Sequence, residues 1–159
     1  MDVGASKILL DQSLMRAAET IGDITPAVYD RYYAGWPRAL DSFDELHPGG
    51  RQALQGQMVE QVLYCLMEWF DSPGEIEIVL LSTVPHHIDT LKIEPEHFAA
   101  LIEVVCDVIA DTIPADMADE RAVLLQIRAD LLALFHQGAA YSARALKAAA
   151  GGNSNDASP

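Results

Sequence analysis

Apolar residues recur at helical spacing along most of the chain. Over residues 6–21, Ile8, Leu9, Leu14, Met15 and Ala18 fall near one face, with Asp11, Arg16 and Glu19 on the other. Thr25-Pro26 reads as a helix start, a threonine N-cap followed by proline in the first turn. The helix it opens carries Val28, Tyr29, Tyr32 and Tyr33 and should stop near Gly35 or Trp36. Pro37 opens a short helical turn through Phe43, and His47-Pro48-Gly49-Gly50 is loop chemistry. Residues 51–70 form a long amphipathic stretch whose apolar side includes Leu54, Met58, Val59, Val62, Leu63, Leu66, Met67 and Phe70. Asp71-Ser72-Pro73-Gly74 ends it.

Residues 75–87 admit two readings. The run Glu75-Ile76-Glu77-Ile78-Val79-Leu80-Leu81 alternates and is β-branched, so local propensity allows a strand. A single strand among helices would have no partner, and helix is the reading adopted. A further helix is expected from Pro95 to about Ile113, with Phe98, Leu101, Ile102, Val105, Val108 and Ile109 inward. A last long helix should run from about Asp116 to Ala149, burying Val123, Leu124, Ile127, Leu131, Leu134 and Phe135. Residues 151–159 have too little apolar surface to fold and are expected to be disordered. The expectation is one all-α domain over residues 1–150. The short 37–43 piece between longer helices argues for steep crossings over a plain antiparallel bundle.

Composition narrows the partners. Half of the 159 residues are hydrophobic, and 10 Lys+Arg against 24 Asp+Glu give a net charge of −14. Such a field repels nucleic acid and anionic lipid, so neither is an expected partner. Cys65 and Cys106 lie in apolar helical patterns and read as buried free thiols of a reducing cytoplasm. With no basic-then-apolar leader and no apolar run of membrane-spanning length, a soluble cytoplasmic protein is expected. His47, His97 and His136 show no metal-ligand spacing, and no phosphate-binding glycine loop or nucleophile elbow occurs.

The most informative run is His87-Ile88-Asp89-Thr90-Leu91-Lys92-Ile93-Glu94-Pro95-Glu96-His97-Phe98. It places a histidine at the end of one helix, turns a corner, and starts the next helix at Pro95. A neutral imidazole held this way can ligate a metal, with nearby helix-end carbonyls to fix its tautomer. A lone histidine is ordinarily a surface residue, but the surrounding pattern argues otherwise. The run closely resembles the proximal-histidine corner of the globins, His-x-Asp-x-Leu-x-Val/Ile-x-Pro-Glu-x-Phe. It matches at His87, Asp89, Leu91, Ile93, Pro95, Glu96 and Phe98. The resemblance implies a globin-like fold of six to eight helices crossing around a haem pocket, a non-covalent haem b, and His87 as iron ligand. His86 competes for that role. No Cys-x-x-Cys-His is present for covalent attachment.

A second stretch, Tyr29 to Tyr33 followed by Pro37 and Phe43, resembles the bacterial single-domain haemoglobins and the globin domain of flavohaemoglobins. The resemblance implies Tyr29 over the iron and Phe43 packed flat on the porphyrin. On the distal helix Gln55, Gln57 and Met58 compete for the ligand-facing position. Gln55 is favoured because Gly56 follows it, with Val59 and Leu63 one and two turns on. Val59, Leu63, Leu91, Ile93, Phe98 and Ile102 are the other candidates to wall the porphyrin. Flavohaemoglobins carry a tyrosine beneath the haem where this chain has Phe98, so the electronic push on iron should be weaker.

The function implied is reversible binding of dioxygen or another diatomic gas, for storage, carriage or sensing. This makes the chain a ligand-binding haem protein in preference to an enzyme. Two alternatives stand beside it: a globin-fold sensor or interaction module without haem, and a nitric-oxide dioxygenase. The 159 residues leave no room for a flavin- and NAD-binding domain, so the latter would draw electrons from an external reductase. A homodimer is a further option.

Overall fold

The computed structural model describes residues 2–39, 45, 49–85 and 94–152. The described residues form six helices and no strand: α1 (Val3–Ile21), α2 (Thr25–Gly35), α3 (Arg51–Met67), α4 (Pro73–Pro85), α5 (Pro95–Ala110) and α6 (Ala118–Gly152). The all-α expectation holds. The 75–87 ambiguity resolves as helix because Ile76, Leu80 and Val84, one turn apart each time, are all buried. A strand would have sent all three to one face with Ile78, which is instead 69% exposed.

Three details differ from expectation. On α1 the buried set is Leu10, Ser13 and Ala17, whereas Ile8 and Met15 are mostly exposed. The consecutive Ile8-Leu9-Leu10 left the rotation of this helix undetermined by pattern, and packing on α6 selected the Leu10 face. Thr25 is not the N-cap of α2: it is already helical, and its backbone N–H donates to Asp23 Oδ1 at 2.9 Å. The final helix runs through Gly152, beyond its expected end at about Ala149. Residues 153–159 lie outside the described set, so the expected tail is not described there.

Helix ends follow local chemistry. Gly22 adopts φ +77°, and its N–H closes α1 on the Ala18 carbonyl at 2.9 Å. Proline occupies the first turn of α2 and α5, where its missing N–H has no helical partner to lose.

Helix α6 is the spine. It carries α1, α4 and α5, while α5 also packs on α1, α2 and α3, and α2 and α1 each meet α3. The core between them is continuous and includes Val28, Val59, Leu66, Leu101, Val105, Leu124, Leu131 and Phe135. Gly138 lets α4 approach α6 closely: a Cβ there would lie 3.3 Å from Val84 Cβ. Arg16 reaches from α1 to the buried Glu120 of α6 with both Nε and Nη2, at 3.3 and 3.2 Å. Arg31 to Asp111 and Arg128 to Asp107 tie α2 and α6 to the region of α5, and Lys7 pairs with Asp71. Both cysteines are buried and free. No helix among the described residues is long and apolar enough to cross a membrane.

Candidate functional site

The tyrosines of α2 stand at positions i, i+3 and i+4, which places them on one face of the helix. Their rings form a cluster, with centroids 5.8 Å apart for Tyr29–Tyr32 and 5.4 Å for Tyr29–Tyr33. Each hydroxyl has a different partner. Tyr29, 4% exposed, points its hydroxyl at Met58 Sδ of α3, 3.8 Å away. Tyr32 donates to the His97 carbonyl of α5 at 3.0 Å. Tyr33 accepts from the Gln55 amide nitrogen at 2.5 Å. Burial raises the Tyr29 phenol far above its ordinary range, with Tyr33 and Tyr32 adding to the effect, so Tyr29 stays protonated and remains a donor. Burial, and then Tyr33, pushes Tyr32 up to about 12.

Helix α3 bears on the three competing distal registers. Gln57 is exposed, whereas Gln55 and Met58 are half-buried. Met58 faces the Tyr29 hydroxyl, and Gln55 is engaged by Tyr33 one turn further along α2. Val59 is buried and Leu63 half-buried on the inner side of the same helix. Between α2 and α3 lies an open cavity of about 420 Å³, lined by Tyr29, Tyr33, Gln55, Arg51, Asp30 and other polar chains. Its charged lining does not suit a porphyrin macrocycle, but two of the distal candidates, Tyr29 and Gln55, form part of its wall.

Phe98 and Ile102 of α5 are buried. The Phe98 ring stacks on Phe135 of α6, with centroids 5.0 Å apart and planes 5° from parallel. His97 sets its ring edge-on to Trp36 at 4.8 Å. The two sequence stretches singled out above therefore touch: Tyr32 and Trp36, from the end of α2, meet the start of α5 at His97, with 65 residues separating Tyr32 from His97. His86, His87, Leu91, Ile93 and Phe43 lie outside the described residues.

The fit to a haem can be judged on the donor set. A b-type haem needs one axial imidazole, apolar walls and, on its open face, neutral hydrogen-bond donors. Val59, Phe98 and Ile102 are buried apolar chains, and Tyr29 is a buried protonated phenol. Those residue types match such a site, but they are packed in the core, and the cavity at Tyr29 and Gln55 is lined by polar and charged chains. Among the described residues no cluster of three His, Cys, Asp or Glu is arranged to hold a metal ion on its own.

Sequence reasoning missed the partners of Tyr32 and Tyr33 and the packing of Trp36 on His97. The i, i+3, i+4 tyrosine spacing was the available signal for a shared face. What each hydroxyl would meet depended on α3 and α5, which are distant in sequence. Comparison with known proteins finds no matching family model, no matching curated protein and no matching solved structure.

Proposed function

We propose that this chain is a haem-binding globin that reversibly takes up dioxygen or another diatomic gas, with His87 as iron ligand. The observation that carries the proposal is the contact of Tyr32 and Trp36 with His97, which joins the described parts of the two stretches that resemble globins. In this reading, the packing of α2 on α5 and α3, and of α1, α4 and α5 on α6, gives the helical frame of the pocket. A haem, if bound, would be held by His87 and would supply an iron able to bind a small gas.

The chain's own residues have separable tasks. Tyr29 holds a proton at its hydroxyl, away from water, where it can be donated in a hydrogen bond to a partly negative ligand. Val59, Phe98 and Ile102 are buried apolar chains that would keep water from a bound haem. Phe98 has no hydroxyl with which it could strengthen an imidazole ligand, so nitric-oxide turnover with an external reductase is expected to be slow. A second reading is a helical interaction or sensor module without haem.

Visible absorbance of the purified chain separates the two. A strong Soret band supports the haem reading, and a colourless protein that leaves added haemin unbound supports the second. His87→Ala is expected to lose haem or bind it far more weakly, while His86→Ala retains it. A normal Soret band in His87→Ala defeats the assignment of the ligand.

A further inference from the structure

We infer that the open cleft between α2 and α3 binds a small zwitterion of the amino-acid class, with its ammonium on the α2 wall at Asp23 and Asp30 and its carboxylate on the α3 wall at Arg51. The inference stands apart from the haem reading, and nothing in it depends on haem being bound. The cleft has a volume of about 420 Å³, within the range that small-molecule sites occupy.

Opposite charges stand on opposite walls. Asp23 lies just before α2 and Asp30 within it, whereas Arg51 is the first residue of α3, and all three line the cleft. Hydrogen bonds from the Thr25 side chain and backbone hold the Asp23 carboxyl below the usual carboxylate range, so it is ionised at neutral pH. A guanidinium has five N–H donors, so Arg51 can keep a protein partner and still take a ligand carboxylate. Tyr33 adds the surface of a half-buried phenol, against which an ammonium or a carbon frame can lie, and Gln52 adds a donor and an acceptor. A simple anion is disfavoured, because two carboxylates face one guanidinium in a chain of net charge −14. A simple cation would be repelled by Arg51. A molecule carrying both signs answers both walls.

Gly56 is the second observation. It lies in the interior of α3, where glycine is a poor helix former. Packing does not require it: a Cβ there would meet nothing within 4 Å beyond its own stretch of helix. The missing side chain instead leaves the α3 wall of the cleft open, and that is the space a ligand would fill.

The test is a titration of the full chain, read by backbone amide shifts. The probes are the free L-amino acids, with acetate and ethylammonium as single-charge controls. Saturable shifts at Tyr33 and Arg51 are expected for at least one amino acid, with a dissociation constant of about 0.1–1 mM, since the charged walls are open to water. Each control should bind roughly tenfold more weakly, and so should the amino acid to Arg51→Gln or Asp30→Asn, the ratio lost with one charge-assisted hydrogen bond. Gly56→Leu should abolish the shifts by filling the cleft. Its far-ultraviolet circular dichroism should match the parent's, because leucine favours the helix and its Cβ meets no neighbour. Asp23→Asn can still accept the Thr25 N–H and removes the charge alone, so it should weaken binding even if Gly56→Leu folds poorly.

No saturable shift with any amino acid, or undiminished binding in a folded Gly56→Leu, overturns the site. Ethylammonium or acetate binding as tightly as the amino acid overturns the zwitterion. A Soret band, present or absent, decides the haem reading alone, and the titration is expected to give the same result in either case.

Discussion

Tyr29 shows how burial fixes the chemical state of one side chain. Its hydroxyl has lost water and faces a thioether, a weak acceptor, so ionisation is strongly disfavoured and the group stays a donor. Tyr29→Phe removes that donor. With haem bound, dioxygen dissociation should quicken roughly fivefold, about 1 kcal/mol, as read by stopped-flow displacement with carbon monoxide. A rate equal to the parent's would remove Tyr29 from the distal site. Tyr32 gives a second test at this scale. Burial holds it at about 12 against an ordinary 10.0. A raised folded value means the folded chain keeps a proton that the unfolded chain releases. The contribution is therefore complete below about pH 10 and is lost as pH climbs toward about 12. Urea midpoints measured across that window should fall less steeply for Tyr32→Phe than for the parent. Identical slopes would mean that Tyr32 ionises normally.

At the scale of elements, the identity of α4 was open in the sequence. Alternation and β-branching allowed a strand, and the helix forms because Ile76, Leu80 and Val84 find a common surface to bury on. Gly138 shapes part of that surface. Two effects compete in Gly138→Ala. Alanine favours a helix interior by about 1 kcal/mol over glycine. Against this, the new methyl would lie 3.3 Å from Val84 Cβ and 3.4 Å from its Cγ2, and Val84 is fully buried and unable to withdraw. Overpacking of that kind costs about 1–3 kcal/mol, so a net loss of stability is expected in equilibrium urea unfolding. A more stable variant would show that α4 slides on α6.

For the molecule as a whole, charge and packing pull in opposite directions. The formal net charge of −14 repels itself, and the inter-helix ion pairs offset only part of that. Raising sodium chloride from about 0.01 M to about 0.5 M should raise the thermal midpoint, because screening weakens the excess repulsion more than it weakens the partly buried Arg16–Glu120 pair. A midpoint that falls with salt would show that the ion pairs outweigh the net repulsion.

Periodicity, proline positions and glycine punctuation were enough to mark out the helices of the described chain, since these signals act within a few residues. The inner faces of α5 and α6 were also legible, because Phe98, Ile102, Val105, Leu124 and Phe135 recur at helical spacing and are buried. The rotation of α1 was not legible, because Ile8-Leu9-Leu10 offered adjacent faces of similar hydrophobicity and only contact with α6 could choose among them. Nor were the partners of the three tyrosines, or the division of Met58 and Gln55 between Tyr29 and Tyr33. A hydrogen bond depends on two groups meeting at a fixed distance and angle. The sequence supplied the groups, and the meeting was decided by helices packed from distant parts of the chain.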